Sequence, residues 1–282
     1  MTKAEPIRRR SALRVGAGLT AALATGCAAD QQTATPAPAA HPASPRPAHP
    51  ASPRPAHPAS PRPAHPASPR PARAAPAPRR LPGLPAQIAH GPRTGDRVAL
   101  TFHGQGDPAI ANAVLKEAER ADAHVTVLAV GTWLDAHPAV ARRILDGGHD
   151  LGNHTLHHID INTLSEADAY AEITGCADRI RRLTGSIGTW FRPSRTQTAT
   201  PLVTRLAQRA GYPHLLSYDV DSLDFTSPGA SAVVENVTSA VRPGSVVSLH
   251  FGYADTIAAL PPLLDHLDRR GLTAVTCTEL LT

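Results

Sequence analysis

Arg97-Val98-Ala99-Leu100-Thr101-Phe102-His103 is an unbroken β-prone run, followed at once by Gly104-Gln105-Gly106-Asp107 and then by helical spacing of apolar residues from Pro108 to Ala121. Ile110, Val114, Leu115 and Ala118 carry that spacing, and Pro108 suits a first helical turn. A strand that feeds a helix through a short polar loop is half of a βαβ unit, and the same alternation recurs downstream. Strands are predicted at 124–131, 189–192, 214–219, 245–250 and 272–276, with helices at 135–146, 165–184, 200–210, 230–241 and 255–270. Gly147-Gly148 closes the first of these helices, and Ser165 and Asp168 stand in capping-box positions at the head of the next. Strands separated by helices of this length imply right-handed crossovers and a parallel sheet. With no glycine-rich dinucleotide turn, the prediction is an α/β fold, a (β/α) barrel of about seven strands that is distorted or partly open.

In such a barrel, ligands and catalytic groups gather on the loops at the carboxyl ends of the strands. His103, His154, Arg192, Asp219, Asp221, Asp224 and His250 all fall at or just after predicted strand ends. The densest cluster is Gly147-Gly148-His149-Asp150-Leu151-Gly152-Asn153-His154-Thr155-Leu156-His157-His158. His154 and His158 are four apart, so a helical turn would project both imidazoles from one face, as a transition metal with nitrogen ligands requires.

Upstream of this domain the composition is different. Most of the 29 prolines of the 282-residue chain lie in its first third. Lys3, Arg8, Arg9 and Arg10 precede a short apolar stretch, Leu13 to Leu23, that is too short to span a bilayer. Leu23-Ala24-Thr25-Gly26-Cys27 resembles a lipoprotein processing box, and Arg9-Arg10 resembles a twin-arginine signal. Residues 1–27 are therefore read as an export signal of lipoprotein type, which places the protein outside the cytoplasm, secreted or held to the membrane only through a lipid on Cys27. From His41 the octapeptide His-Pro-Ala-Ser-Pro-Arg-Pro-Ala occurs four times, and residues 28–90 are expected to be a disordered, polyproline-like linker. The remaining residues, 91–282, form the folded domain. The net charge of +5 comes from arginines spread over the repeats and helix faces without interleaved aromatics, which argues against a nucleic-acid partner. A monomer is expected, and the pairing of Cys176 and Cys277 is left open by the sequence.

From Val98 to Leu281 the order of motifs resembles the polysaccharide deacetylases, metal-dependent carbohydrate esterases that remove N- or O-acetyl groups from chitin, peptidoglycan or xylan. Thr101-Phe102-His103-Gly104-Gln105-Gly106-Asp107-Pro108 corresponds to the family's Thr-Phe-Asp-Asp-Gly, in altered form. His154-Thr155-Leu156-His157-His158 matches the second motif, Phe191-Arg192-Pro193 the third, Asp221-Ser222-Leu223-Asp224-Phe225 the fourth and Leu249-His250 the fifth. The resemblance implies a hydrolase of carbon–nitrogen bonds other than peptide bonds that deacetylates an extracellular or cell-wall glycan, with a divalent metal, zinc before cobalt, manganese or nickel. It assigns His154 and His158 as ligands and His250 as the acid, oriented by Asp224 or Asp221. Arg192 would pair with the base carboxylate, and the peptide after Pro193 would hold the oxyanion. His103 and Gly104 replace the family's base and metal-binding aspartates. Asp107 is then expected to reach the metal or act as base, with His103 as third ligand or base. Glycan binding without catalysis on the same scaffold is the alternative.

Overall fold

The computed structural model describes residues 74–282. The export signal, Cys27 and the octapeptide repeats lie outside the described residues. The strands are β1 (Gln87–Ile88), β2 (Arg97–Gly104), β3 (Thr126–Ala129), β4 (Asp150–Asn153), β5 (Leu215–Leu216), β6 (Val220–Asp221), β7 (Val246–His250) and β8 (Thr273–Val275). The helices are α1 (Pro108–Arg120), α2 (Gly131–Ala136), α3 (Pro138–Asp146), α4 (Glu166–Thr184), α5 (Pro201–Arg209), α6 (Ala230–Thr238), α7 (Ala254–Arg269) and α8 (Cys277–Leu281).

The main sheet runs β4-β3-β2-β7-β6 with every neighbour parallel, and β8 pairs with the amino-terminal part of β2. Beyond β4 the predicted strand 189–192 shrinks to a single bridging residue. Phe191 pairs in parallel with Asn153 on one side and Leu215 on the other, and β5 in turn pairs with β1. The result is the distorted, partly open (β/α) barrel expected.

Only β2 is long, and its pattern sets the two faces. Val98, Leu100 and Phe102 point outward into the core shared with the helices, whereas Ala99 joins the smaller interior cluster. Alternation along a strand therefore sends Thr101 and His103 inward and Gly104 outward. A Cβ built on Gly104 would lie 2.9 Å from Val127 Cγ1 and 3.2 Å from a Trp133 ring carbon, both in the outer core.

Three features depart from the prediction for physical reasons. The predicted helix 135–146 is broken at His137-Pro138, because proline is accepted at the start of α3 but not inside a continuous helix. The segment Asp150–Asn153, where no strand is predicted, is a fully buried parallel strand whose polar residues are satisfied individually. Asn153 Nδ2 donates to Ile173 O and Tyr212 Oη, and Gly152 lets the strand approach Trp190, whose carbonyl would sit 2.6 Å from an added Cβ. Finally, the linker does not extend to residue 90. Ala75 is buried, Leu81 and Leu84 pack on the interior cluster, and Ile88 is paired in β1, so the domain begins before residue 91. His214 fastens this strap, accepting from Leu81 N at 2.9 Å and donating to Pro85 O at 2.7 Å.

Asp150 ties the end of the chain to β4. Its Oδ2 accepts from Thr278 N at 3.0 Å, Thr278 Oγ1 at 2.7 Å and Trp190 Nε1 at 3.3 Å, and burial pushes its carboxyl above the usual range. Removing it leaves buried donors unmet, at about 1–3 kcal/mol. Asp150→Ala is expected to lower the melting temperature by about 3–10 °C, with a change below 1 °C counting against this role. Cys176 and Cys277 are free, buried thiols, and burial pushes both up to about 12.

Candidate metal and acid–base site

The carboxyl ends of β2, β4 and β7 lie level, because His103 pairs with His250 across β2 and β7, and Ala129 pairs with Gly104 on one side and Asn153 on the other. This register places His103, His154 and His250 at one end of the barrel. The His103 ring centroid is 4.3 Å from that of His154 and 4.3 Å from that of His250, and the His154 and His158 rings are 4.9 Å apart. One ring nitrogen from each of His103, His154 and His158 falls within 4.8 Å of the others.

The loop that carries His154 and His158 is not helical. Thr155 and His158 have φ of 68° and 57°, in the left-handed region, and Asn153 Oδ1 and Thr155 Oγ1 accept from Thr155 N and His158 N to hold the tight path. The two imidazoles therefore converge through a knotted turn rather than through i, i+4 stacking. His157 is directed elsewhere, with Nδ1 at 2.6 Å from the buried carboxylate of Glu172.

His154 has the surroundings of a metal ligand. Its Nδ1 lies 3.0 Å from the Arg192 carbonyl, which can only accept, so Nδ1 carries the proton and Nε2 keeps its lone pair. That Nε2 is buried with no hydrogen-bond partner. Burial holds both His103 and His154 well below the ordinary imidazole value, and burial together with His250 and Arg195 lowers His158 to about 4. All three rings are thus neutral with a lone pair to offer. For His103 that lone pair is on Nε2, which accepts from Arg192 Nη1 at 3.2 Å, with the Ser248 hydroxyl at 3.4 Å, so Nδ1 carries the proton and a metal would have to take Nε2 from Arg192. An orphaned buried nitrogen within an all-imidazole triad fits a divalent transition metal of the zinc type.

Arg192 is fully buried but meets no carboxylate, contrary to expectation. It donates to Thr101 Oγ1, to His103 Nε2 and to the carbonyls of Leu216 and Ser217, and burial lowers it to about 10. The aspartate it was expected to meet is replaced by His103, and Asp107 cannot substitute. Asp107 caps α1, its Oδ1 accepting from Ala109 N at 2.8 Å, and the preceding loop is pinned by Trp133 Nε1 on Gly106 O at 2.8 Å. Asp107 stands outside the convergent group.

On the other side of the cleft the choice between Asp224 and Asp221 is decided. Asp224 is fully buried, with Oδ1 at 2.7 Å from His250 Nδ1 and Oδ2 accepting from His250 N at 2.8 Å and from Thr256 Oγ1 at 2.6 Å. Asp221 accepts from Leu223 N instead, and Asp219 is held in an ion pair with Arg93 at 2.7 Å. Thr256 and Thr101, which hold Asp224 and Arg192, went unrecognised in the sequence, since a lone threonine in an apolar segment gives no signal. His103, His158, His250, Tyr218, Phe225 and Tyr253 contribute to the walls of a cleft of about 580 Å³.

A family model described as polysaccharide deacetylase matches residues 90–215. A peptidoglycan-N-acetylglucosamine deacetylase of Bacillus cereus is 29% identical over 188 residues, covering 65% of this chain and 87% of that protein. A chitooligosaccharide deacetylase of Bradyrhizobium is 28% identical over 206 residues, covering 64% and 90%. Among solved structures, a CE4 family pseudoenzyme from Bacillus anthracis superimposes with a TM-score of 0.67 at 24% identity, over 71% of this chain and 70% of that one. A family 4 carbohydrate esterase from Streptomyces lividans, in complex with acetate, gives 0.59 at 24% identity over 64% and 91%. These two likenesses carry the fold alone. Taken with the ordered motifs and the converging histidines, the family match and the relatives lead to one conclusion: residues 90–215 of this chain match the polysaccharide deacetylase family, and its relatives are deacetylases of that kind.

Proposed function

We propose that this domain is a metal-dependent deacetylase of an acetylated cell-wall or extracellular glycan, acting outside the cytoplasm. The observation that carries the reading is the orphaned Nε2 of His154, set among His103 and His158, which line the cleft together with the Asp224-held His250. His154 and His158 would hold the metal, and His103 would join them by giving up the Arg192 contact at its Nε2. An all-nitrogen donor set favours zinc, cobalt or nickel over manganese, which prefers oxygen. When bound, the metal supplies Lewis-acid polarisation of the acetyl carbonyl and a more acidic water.

The chain's own residues supply the rest. Asp224 fixes the His250 ring through Nδ1, leaving Nε2 as the proton-carrying atom toward the leaving amine or alkoxide. With no carboxylate beside the histidine triad, His250 is also the group assigned to receive the proton of the attacking water. Arg192 keeps His103 in one tautomer and adds positive potential where negative charge develops on the acetyl oxygen.

The second reading, glycan binding without hydrolysis, is favoured by the unmatched guanidinium of Arg192 and the missing side chain at Gly104. Acetate release from acetylated amino-sugar oligomers with added Zn²⁺ or Co²⁺ decides between them; metal-loaded, folded protein that releases none would overturn the enzymatic reading. If the enzyme reading holds, Asp224→Asn is expected to lower kcat by about 10²–10⁴-fold, flattening the pH profile with little change in KM. An unchanged profile would remove Asp224 from this role.

A further inference from the structure

Arg195 is the one cation lining the cleft among the described residues, and neither the metal triad nor the acid–base pair uses it. It lies on the wall of the same cleft as His103, His158 and His250, and it is exposed. Its φ is 56°, a left-handed conformation that costs a non-glycine residue on the order of 1 kcal/mol and persists only where the surroundings enforce it. They do so here. The preceding Ser194 is fully buried, accepting from Thr155 Oγ1 and donating to Ile159 O, and the following Thr196 accepts from Asn162 Nδ2 and donates to Thr198 O.

Several surface guanidiniums have acidic partners: Arg93 with Asp219, Arg143 with Glu119, Arg179 with Asp135, Arg209 with Glu166. Among the described residues Arg195 has none. Asp221, the carboxylate on the same cleft wall, is engaged by Leu223 N and faces the Tyr218 hydroxyl. An unpaired guanidinium on a fixed, left-handed backbone at a cleft of neutral imidazoles, aromatic rings and amides is placed to meet a planar anion.

We propose that Arg195 is a specificity-determining residue that selects glycans bearing a carboxylate on a sugar next to the acetylated one, and discriminates against neutral chitin-like oligomers. This rests on the deacetylase reading of the cleft. The carboxylate could be the lactyl group of a muramic residue or the C6 group of a uronic residue, since both present the same two oxygens.

The test uses the metal-loaded full chain and four tetrasaccharides: chitotetraose, an N-acetylglucosamine–N-acetylmuramic alternating oligomer, the methyl ester of that oligomer, and an N-acetylglucosamine–glucuronate oligomer. Affinity is measured by titration calorimetry, and acetate is recorded in the same samples. The wild type is expected to bind at least one free-carboxylate oligomer about tenfold or more tighter than chitotetraose or the ester, a preference that fades with salt. Arg195→Ala should bring that ratio near one while leaving chitotetraose affinity within about twofold, and Arg195→Lys should retain part of it. Which acid keeps the preference identifies the source. An equal loss for neutral and acidic oligomers, an unchanged ratio, or no binding of any oligomer would overturn the proposal. If no acetate appears from any oligomer and yet the ratio collapses in Arg195→Ala, the deacetylase reading fails and this one stands; acetate release with an unchanged ratio is the reverse case.

Discussion

Replacing His154 by alanine is expected to abolish stoichiometric metal binding and to lower acetate release by at least about a thousandfold, while the domain stays folded. The reasoning starts from the metal-free state, in which Nε2 of His154 is a buried acceptor with nothing to accept from. Such a group destabilises the fold by about 1–3 kcal/mol, so its removal offsets part of the cavity left behind. The metal-free variant should therefore melt within a few degrees of the wild type. The difference appears when metal is added. Saturation at about a thousand times the dissociation constant stabilises the wild type by about 4 kcal/mol, and the variant should gain almost none of this. Metal analysis and thermal melts with and without Zn²⁺ check both halves. A variant that retains one metal per chain would remove His154 from the ligand set.

The second large effect concerns Gly104, the position at which the family carries its metal-binding aspartate. Restoring a carboxylate there is expected to damage the fold and to add no ligand. Alternation along β2 turns residue 104 away from the barrel interior, and an added Cβ meets Val127, Ala129 and Trp133 at 2.9–3.2 Å. Overpacking costs about 1–3 kcal/mol, and an unpaired carboxylate in that apolar layer adds several more. Gly104→Asp should lower the melting temperature by on the order of 10 °C, with metal affinity no higher than in the wild type. His103→Asp differs in kind, because it enters the interior where Arg192 already presents donors to residue 103. A Gly104→Asp protein that binds metal more tightly at undiminished stability would show that β2 can rotate its end toward the triad.

The parts of the fold legible in the sequence were those whose burial is continuous or regularly spaced. β2, α1 and the Ser165-capped α4 declare themselves through apolar runs and caps. β4 did not, because Asp150, Gly152 and Asn153 are buried for reasons that lie in distant partners: Thr278, Trp190 and Tyr212. For the site, motif order located His154, His158, Asp224 and His250, although the turn joining the first two is set by left-handed residues that spacing does not reveal. The assignment of Asp107 failed on a local signal that was available. An aspartate immediately before a proline that opens a helix is a capping pattern, and that is the role it has. Arg195 could not be singled out from the sequence, since nothing in a sequence shows that a guanidinium lacks a partner.

The position of β2 has a consequence for the order of events during folding. It is the hub of the sheet, and of its three partners β7 and β8 come from the far end of the chain. Pairings of such sequence separation form late and slowly, since loop closure precedes any reward from contact. His103 is presented by β2, and the neighbouring His250 by β7, so the acid–base histidine cannot join the triad until nearly the whole domain has been synthesised and closed. The complete site, with His250 beside the triad, is therefore a late product of folding, whereas the triad itself draws only on the contiguous stretch from β2 to the loop after β4. The β2 edge that awaits β7 and β8 is the surface a folding helper would have to shield in the interval.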